Sequence, residues 1–400
     1  MPLREIITDS TEELAAELAS MDIDPGGVGI MTSKAFSHRI RVRKLKSPAA
    51  NILKQEMLSV GGDCATSRTV ILGDETPQDV LMMGTRRQLA AVAKKLKSQP
   101  FGLKKLASEI ALFLSRTGKG EAAGRETLTA IVAGAPLPLL MGIVNVTQDS
   151  FSDGGQFVAP EAAVAHALEL EKQGADILDI GGESTRPGSE PMPAEQESGR
   201  IVPVITELAA KAAAPISIDT MKSPVAAAAL DAGARVVNDV SAGRFDGEMF
   251  ALVADRGCPL ILMHMLGQPK TMQDQPHYDN LMDELHRFFE DRLSAAVKAG
   301  ISESQLIIDP GIGFGKSMIH NYIILNRLRE LLSFGRPVLV GVSRKSLLKN
   351  KLGESPADRL EETITAQTVA VMNGATVLRV HEVLPAVKSR AILQRTLGTP

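Results

Sequence analysis

The sequence lacks several features that would place the chain in other classes of protein. It contains no tryptophan, an absence with no functional meaning by itself, and only two cysteines, Cys64 and Cys258. These cysteines lie far apart and have no partner histidines, so we expect neither a disulfide framework nor a zinc site. The formal net charge of −3 argues against a dedicated nucleic-acid-binding protein, which would usually be strongly basic.

Long hydrophobic runs and a hydrophobic leader are also missing. The longest uncharged stretch, residues 127–148, is interrupted by glycines and two prolines, which fits a linker and a buried strand better than a membrane span. The first residues are charged, unlike those of a secretory signal. The sequence therefore predicts a soluble cytoplasmic protein without a membrane or nucleic-acid partner.

What the sequence does contain is a repeated alternation of short apolar segments and amphipathic stretches. The length of 400 residues leaves room for two domains, and 44% hydrophobic residues are ample for a core. Strands are predicted at residues 139–146, 175–180, 216–219, 235–239, 260–264, 306–309, 338–342 and 376–380. Helices are predicted between them at residues 162–173, 193–213, 224–232, 278–299, 320–332 and 356–372.

This alternation favours an α/β fold, a closed (β/α)8 TIM barrel, with a doubly wound open sheet as the alternative. The strands are near-continuous apolar runs, as expected when helices cover a parallel sheet. Gly174, Gly233 and Gly374 follow predicted helices and suit a left-handed helix cap. In such barrels the loops after the strands carry the chemistry, because they converge at one end.

Polar residues stand where the predicted strands end. In chain order they are Asn145, Asp179, Asp219, Asn238, His264, Asp309, Ser343 with Lys345, and Arg379 with His381. Any one of them alone is as well explained by a helix cap or a loop residue. A whole ring of hydrogen-bonding groups at the exits of apolar strands indicates an active-site face.

The segments around these residues resemble those of dihydropteroate synthase, an enzyme of the folate pathway. Eight motifs in order carry the resemblance: NVTQDSFSDGG, DIGGESTRPG, ISIDT, NDVSAG, LMHMLGQPKTMQ, DPGIGFGK, VGVSRKS and RVHEV. They extend from about residue 138 to the end of the chain. The resemblance implies a homodimeric transferase that condenses 6-hydroxymethyl-7,8-dihydropterin diphosphate with p-aminobenzoate, giving 7,8-dihydropteroate and pyrophosphate.

The resemblance implies that Asp219, Asn238, Asp309 and Lys345 bind the pterin ring. Carboxylates accept hydrogen bonds from the ring's amino and N–H groups, an amide both donates and accepts, and a lysine donates to the ring carbonyl. Met263 and Phe314 are candidate apolar walls, with ordinary core packing as the alternative. The remaining predicted substrate-binding residues at strand ends are Asp179 and Ser343.

Arg379 and His381 are the residues predicted to bind the diphosphate. The planar guanidinium of Arg379 matches phosphate oxygens, and His381 two residues later projects to the same side of a strand. The resemblance implies that Asn145 holds a Mg²⁺ ion bridged to the diphosphate, an ion that seldom uses an all-protein cage. Asp219, Lys345, Arg379 and His381 are the predicted catalytic residues, since charge develops on the pyrophosphate and on the pterin methylene.

Two loops are predicted to form the p-aminobenzoate pocket. Residues 147–155 and 181–188 resemble the mobile substrate loops of the family, and their glycines permit closure. Thr185 and Arg186 are the predicted contacts in the second of these loops. Ser346 is the predicted contact from the seventh loop.

Two other functions remain open. A related pterin-barrel methyltransferase, moving a methyl group from methyl-tetrahydrofolate to a corrinoid, would have no diphosphate to bind, so Arg379 and His381 would lack a purpose. A non-catalytic pterin-binding protein would be expected to have lost a metal or diphosphate ligand, and none is lost. Gln148 replaces the family's usual proline and Glu382 its usual aspartate, without removing a predicted site residue.

Residues 1–118 precede the resemblance and predict a separate, smaller α/β domain of unknown role. Helices are predicted at residues 11–19 after a capping box at Ser10, and at 47–60, 87–97 and 103–114; strands at 38–43, 69–72 and 80–83. Residues 119–134 are predicted to be a linker and lead-in, with residues 117–126 as the boundary, and residues 135–400 the barrel.

The N-terminal domain also carries a cluster of basic residues. Its members are Lys34, Arg39, Arg41, Arg43, Lys44 and Lys46. Such a cluster can bind an anion, a nucleic acid or an acidic partner, but a solvated strand face is the favoured interpretation at this modest overall charge.

Overall fold

The structure is a computed structural model of the chain, and it forms two compact units, Met1–Gly118 and Lys119–Pro400. The described residues are 3–4, 6–8, 10–73, 76–134, 136–146, 160–184, 189, 191–348, 355 and 359–397, with the side chains of residues 117–125 excluded. Each unit has its own hydrophobic core. None of the helices in these ranges is long and apolar enough to span a membrane.

The first unit is a three-stranded antiparallel sheet with helices. The strands are β1 (Ser37–Leu45), β2 (Asp63–Ala65) and β3 (Gln78–Thr85), in the spatial order β1-β3-β2. The helices are α1 (Thr11–Ser20), α2 (Pro25–Ala35), α3 (Ser47–Ser59), α4 (Arg86–Leu96) and the first part of α5 (Leu103–Ile131). The core lies between α3, α4, α5 and one face of the sheet.

Most of the predicted elements of this unit are present. Ser10 caps α1 by accepting a hydrogen bond from the Glu13 amide at 3.0 Å. In β1, Arg39 and Arg41 are exposed, while Ile40 packs against the core. The predicted alternation of this strand is therefore confirmed, and its basic side chains lie on the exposed face.

The strand predicted at residues 69–72 is wrong. The structure has a 3-10 turn at Val70–Leu72 that ends at Gly73, whose φ of 76° is left-handed. Only Val70 is buried, and Ile71 and Leu72 are exposed. The β-propensity of these residues is overridden because the segment has no strand to pair with and a glycine turn follows at once. The short strand β2 and the helix α2 were not predicted.

The predicted boundary at residues 117–126 is helical. Helix α5 continues through it to Ile131, and the division between the two units falls within the helix. Lysine, arginine, glutamate and alanine favour helix strongly enough to offset interspersed glycines, each of which costs about 1 kcal/mol. Composition suggested a linker, but helix propensity decided the conformation.

The second unit is a parallel eight-stranded barrel. Its strands are β4 (Leu139–Asn145), β5 (Ile177–Gly181), β6 (Ile216–Asp219), β7 (Val236–Asp239), β8 (Leu260–Met263), β9 (Leu306–Asp309), β10 (Leu339–Val340) and β11 (Val377–Val380). They are ordered β10-β11-β4-β5-β6-β7-β8-β9. A parallel bridge between Ile308 and Val338 joins β9 to the start of β10. The predicted barrel is confirmed, and the open doubly wound sheet is excluded.

Eight helices surround the barrel strands in the described residues. They are α6 (Pro160–Gln173), α7 (Ala194–Lys211), α8 (Ser223–Asp231), α9 (Met249–Arg256), α10 (Leu281–Lys298), α11 (Met318–Arg327), α12 (Leu360–Met372) and α13 (Val383–Leu397). Gly174, Gly233 and Gly374 follow α6, α8 and α12 with positive φ, as predicted. Helices α9 and α13 were not predicted; α9 is only eight residues long, too short for a clear helical period.

The barrel interior changes character along its axis. At the end where the strands begin, inward-facing apolar residues form one layer closed by Leu128 and Ile131 of α5. The layer consists of Leu139, Met141, Ile177, Val236, Ile261, Ile307, Leu339 and Val377. Side chains alternate along a strand, so the next inward position lies two residues further on. Asp179, Asn238, Asp309 and Arg379 occupy that position on four of the strands, and the opposite end is therefore polar.

The turn after β9 packs directly against the end of β8. Gly311 has a φ of 65°, and a Cβ atom there would lie 1.9 Å from the carbonyl oxygen of His264. We expect Gly311→Ala to lower the free energy of unfolding in urea by about 3 kcal/mol or more, through strain and a backbone clash.

Gly257→Ala is the matched control for that substitution. Gly257 has a φ of 62°, but a Cβ atom there meets nothing within 4 Å. It should therefore cost only the conformational term of about 1 kcal/mol. Equal losses in the two variants would show that the close approach at Gly311 has no energetic effect.

Candidate active site

A cleft opens at the ends of the barrel strands. Nine of the residues predicted from the sequence line it: Asp219, Asn238, Met263, Asp309, Phe314, Ser343, Lys345, Arg379 and His381. Ile143, Val240 and Gly341 also line it and were not predicted. Ile143 and Gly341 each stand two residues before a predicted site residue, so strand alternation was the signal that could have identified them.

Arg379 connects two buried carboxylates at the base of the cleft. Its Nε donates to Asp179 Oδ2 at 2.6 Å, and its Nη2 donates to Asp219 Oδ2 at 2.7 Å. Asn238 Nδ2 also donates to Asp179 Oδ2, at 3.2 Å. Asp179 is fully buried and does not line the cleft, so the structure places it beneath the site, where it orients Arg379 and Asn238.

The other oxygen of each carboxylate is left available. Asp179 Oδ1 and Asp219 Oδ1 are buried and have no hydrogen-bond partner among the described residues. Buried polar atoms are almost always paired, so Asp219 Oδ1, on the cleft wall, is suited to a donor on a ligand. Burial raises the pKa of Asp219 to about 7, Arg379 opposes that rise, and the neighbouring Asp179 adds to it.

Asp309 and Lys345 form a second charged group in the cleft. Asp309 Oδ1 accepts a hydrogen bond from the Gly311 amide at 2.7 Å. Burial raises the pKa of Asp309, with Lys345 opposing, and burial lowers the pKa of Lys345 to about 8, with Asp309 opposing. The Lys345 ammonium lies 4.6 Å from the centre of the Phe314 ring and donates to the Ile312 carbonyl. This wall thus offers an acceptor, a donor and an aromatic face together.

His381 is held at the rim by the neighbouring strand end. Ser343 Oγ lies 3.0 Å from His381 Nδ1 and accepts from the His381 amide at 3.2 Å. Ser343 in turn donates to Glu382 Oε2 at 3.1 Å, and Glu382 pairs with Arg344. Glu382, which stands where the related motif has aspartate, therefore supports the residues that orient the histidine.

Asn145 ends β4 beside the acidic part of the site. Asn145 Oδ1 and Asp219 Oδ2 both lie beside Gly181. They are 3.9 and 3.7 Å, respectively, from the position that a Cβ atom on Gly181 would occupy. The amide oxygen of Asn145 is a suitable donor for Mg²⁺, which prefers oxygen ligands and keeps several waters. The side chains in the described ranges form no cluster of three or more histidine, cysteine or acidic ligands. The donor set therefore suits an ion completed by a ligand's oxygens.

The predicted contacts of p-aminobenzoate are Ser346, Thr185 and Arg186. Ser346 begins a 3-10 turn (Ser346–Leu348), where it is exposed and does not line the cleft. Thr185, Arg186 and Gln148 lie outside the described residues. The structure therefore gathers the strand-end residues, while the loop contacts remain predictions.

Comparisons with known proteins agree with this geometry. Residues 141–381 match the family described as pterin binding enzyme. The chain is 42% identical to the dihydropteroate synthase of Escherichia coli over 261 residues, 65% of this chain and 92% of that protein. It superimposes on Xanthomonas albilineans dihydropteroate synthase with 4-aminobenzoic acid at a TM-score of 0.61 and 46% identity, covering 66% of this chain and 94% of that one.

A further match extends into the first unit. The probable bifunctional folylpolyglutamate synthase/dihydropteroate synthase of Haloferax volcanii is 40% identical over 342 residues, 84% of this chain. This chain covers only 40% of that protein's length. The match is longer than the barrel unit, so part of residues 1–118 has a counterpart there.

The raised pKa of Asp219 predicts a specific pH dependence of stability. The folded-state pKa of about 7 exceeds the unfolded value of 3.8. The stabilisation from this carboxyl is therefore fully present below about pH 4 and is lost as the pH rises through about 7. The free energy of unfolding of the wild type minus that of Asp219→Asn, measured in urea, should fall by about 2 kcal/mol between pH 5 and 7.5.

Asp246→Asn provides a control in the same pH window. Burial disfavours the charge of Asp246, but amide donors from Ser223 at 2.7 Å and Glu248 at 2.9 Å outweigh it and lower the pKa. Asp246 is then ionised in both the folded and the unfolded state above pH 5. The free energy of unfolding of the wild type minus that of Asp246→Asn should therefore not change with pH. If the free energy of unfolding of the wild type minus that of Asp219→Asn rose with pH instead, the raised pKa of Asp219 would be contradicted.

Proposed function

The chain belongs to the pterin binding enzymes, and we propose that it acts as a dihydropteroate synthase. Its reaction joins 6-hydroxymethyl-7,8-dihydropterin diphosphate to p-aminobenzoate, yielding 7,8-dihydropteroate and pyrophosphate. The observation that carries the proposal is a single cleft in which Asp219, Asn238, Asp309 and Lys345 meet Arg379. Ring recognition and anion binding therefore share one space.

The pterin ring is bound at the base of the cleft. Asp219 and Asp309 accept hydrogen bonds from its amino and ring N–H groups, Asn238 does both, and Lys345 donates to the ring carbonyl. Met263 and Phe314 supply the apolar faces. A ring without these groups would leave buried carboxylates unpaired, which makes such a site selective.

The diphosphate is bound at the rim by Arg379 and His381. Arg379 Nη1 makes no hydrogen bond within the described part of the chain, so it can donate to a phosphate oxygen while Nε and Nη2 stay on Asp179 and Asp219. A diphosphate carries several negative charges, so it needs more positive charge than Arg379 supplies. We propose that Mg²⁺, held by Asn145, supplies that charge when bound.

The residues of the chain act by positioning and by stabilising charge. As the methylene–oxygen bond breaks, Arg379 and His381 stabilise the negative charge that develops on the leaving pyrophosphate. The carboxylates of Asp219 and Asp309 lie where positive charge spreads into the ring. The amine of p-aminobenzoate then forms a bond to the methylene carbon and loses a proton to solvent, and no covalent enzyme intermediate is needed. Thr185, Arg186 and Ser346 stay the predicted contacts of p-aminobenzoate.

We also propose that the barrel forms a homodimer through α11 and α12. Ile319 is 70% exposed and Tyr322 48% exposed on α11, and Met372 is 51% exposed on the neighbouring α12. Asn373 Nδ2 donates to the Leu325 carbonyl at 2.9 Å and holds the two helices together. Exposed apolar side chains of this size on two neighbouring helices suit an interaction surface.

The proposed function is tested by measuring the release of pyrophosphate from pterin diphosphate in the presence of Mg²⁺, with and without p-aminobenzoate. Release should require p-aminobenzoate and give dihydropteroate. Arg379→Lys keeps the charge but loses the two-carboxylate fork, and should lower kcat/KM by about 100-fold or more. Arg235→Lys, an exposed change where the chain enters β7, should leave it unchanged.

The other possible results of this assay would each contradict part of the proposal. Pterin binding without pyrophosphate release would favour a methyltransferase or a non-catalytic binding protein. Release independent of p-aminobenzoate would indicate hydrolysis. Normal turnover in Arg379→Lys would remove that residue from the site assignment.

The dimer is tested by sedimentation velocity of the full chain. Met372→Glu places a charge on the proposed interface and should weaken association by about 10-fold or more, because charge burial is costly. Val297→Glu makes the same change at a position of α10 that is 42% exposed and should have no effect. A monomeric wild type at micromolar concentration would refute the proposed dimer.

A further inference from the structure

The loop after β9 is held in an unusual way. Five consecutive carbonyl groups, from Gly311 to Gly315, each accept a hydrogen bond from a side chain. The donors are Lys316 to Gly311 and Phe314, Lys345 to Ile312, Gln273 to Gly313, and Tyr278 to Gly315. This loop carries Phe314 into the cleft, so its backbone position matters for the site.

Lys316 makes two of these bonds and also binds the end of β8. Its Nζ is 2.9 Å from the Gly311 carbonyl oxygen and 3.0 Å from the Phe314 carbonyl oxygen. It also lies 2.9 Å from His264 Nδ1 and 3.3 Å from the His264 carbonyl. The residue is 3% exposed and does not line the cleft. It therefore connects the loop to the end of β8 from outside the cleft.

The surroundings of Lys316 are costly for a lysine. All four of its hydrogen-bond partners are neutral, and within the described residues it forms no ion pair. Burial lowers the pKa of Lys316 well below its usual range, and Asp309 opposes that shift. An apolar side chain of similar length would avoid this desolvation cost. Mere filling of space does not require an amine at this position.

The partner of Lys316 is itself fixed. The His264 ring packs edge-on against Phe288 with centroids 4.7 Å apart. The backbone of Gly311 lies so close to the His264 carbonyl that no side chain fits between them. The end of β8 is thus a rigid anchor, and Lys316 fastens the loop to it.

We propose that Lys316 is a positioning residue for ring recognition: it ties the 311–315 loop to His264, so that Phe314 and the Ile312 carbonyl that holds Lys345 keep their places. The inference rests on the proposed pterin site. Loss of the amine frees two carbonyls of the loop and lets Phe314 and Lys345 move, which weakens binding of the ring before any chemistry occurs.

The test is the affinity of the full chain for 6-hydroxymethylpterin, followed by pterin fluorescence, which no tryptophan obscures. Lys316→Met keeps the length of the side chain but loses its donors, and should raise Kd by about 20-fold. Lys298→Met, an exposed change on α10, should leave Kd unchanged. If the wild type itself does not bind the pterin, the proposed function fails; if Lys316→Met binds like the wild type, only this inference fails.

A double-mutant cycle separates positioning from general destabilisation. If Lys316 acts through Phe314, then Lys316→Met should add little to the loss caused by Phe314→Ala. Full additivity would overturn the inference. So would an equal loss of affinity in Val253→Ala, a core change in α9 that destabilises the barrel without touching the loop.

Lys316→Gln covers the case in which Lys316→Met does not fold. The amide retains donors but lacks the charge, and its Kd should fall between those of the wild type and Phe314→Ala. An affinity equal to that of the wild type would overturn the inference.

Discussion

The site depends on one guanidinium placed between two buried carboxylates. Asp179 and Asp219 stand on adjacent strands, and burying two neighbouring carboxylates is costly unless a cation and hydrogen bonds compensate them. Arg379 reaches over β4 from β11 and donates to each at 2.6 and 2.7 Å. That pairing leaves one oxygen of Asp219 available to a ligand and fixes Arg379 beside it. The proposed ring site and the proposed diphosphate site therefore both depend on the position of this side chain.

The barrel makes this arrangement possible because its apolar core residues and its candidate site residues lie at opposite ends of its axis. The apolar layer at the strand starts, closed by α5, excludes water from one end. Two residues further on, the inward positions carry Asp179, Asn238, Asp309 and Arg379. The charged groups thus have a water-facing cleft on one side and a rigid apolar floor on the other. Their positions are fixed by strands, which hold a side chain more precisely than loops do.

The short apolar runs explain why much of the fold could be predicted from the sequence, whereas the roles of the site residues were implied by the resemblance of the strand-end motifs. Each barrel strand of this chain is a short apolar run followed by polar and turn residues, and its length and flanking glycines or prolines distinguish it from a helix. The predictions of secondary structure failed where contacts with other parts of the chain, rather than the local sequence, determine the conformation. Residues 69–72 have strand composition but no partner strand, and α9 is too short to show a period. In residues 117–126 the glycines suggested a break that the surrounding helix formers override.

The roles of Asp179 and Lys316 could not be predicted for a different reason. Asp179 lies within β5 and was predicted to contact the substrate, yet its carboxylate lies under the cleft, where it accepts a hydrogen bond from Arg379, 200 positions later. Lys316 follows a glycine-rich loop, where a basic residue suggests a ligand contact, but its amine points back to His264. Sequence pattern indicates which residues reach the active end of the barrel. Whether each contacts a ligand or supports another residue is decided by partners distant in the chain, and only the folded geometry supplies them.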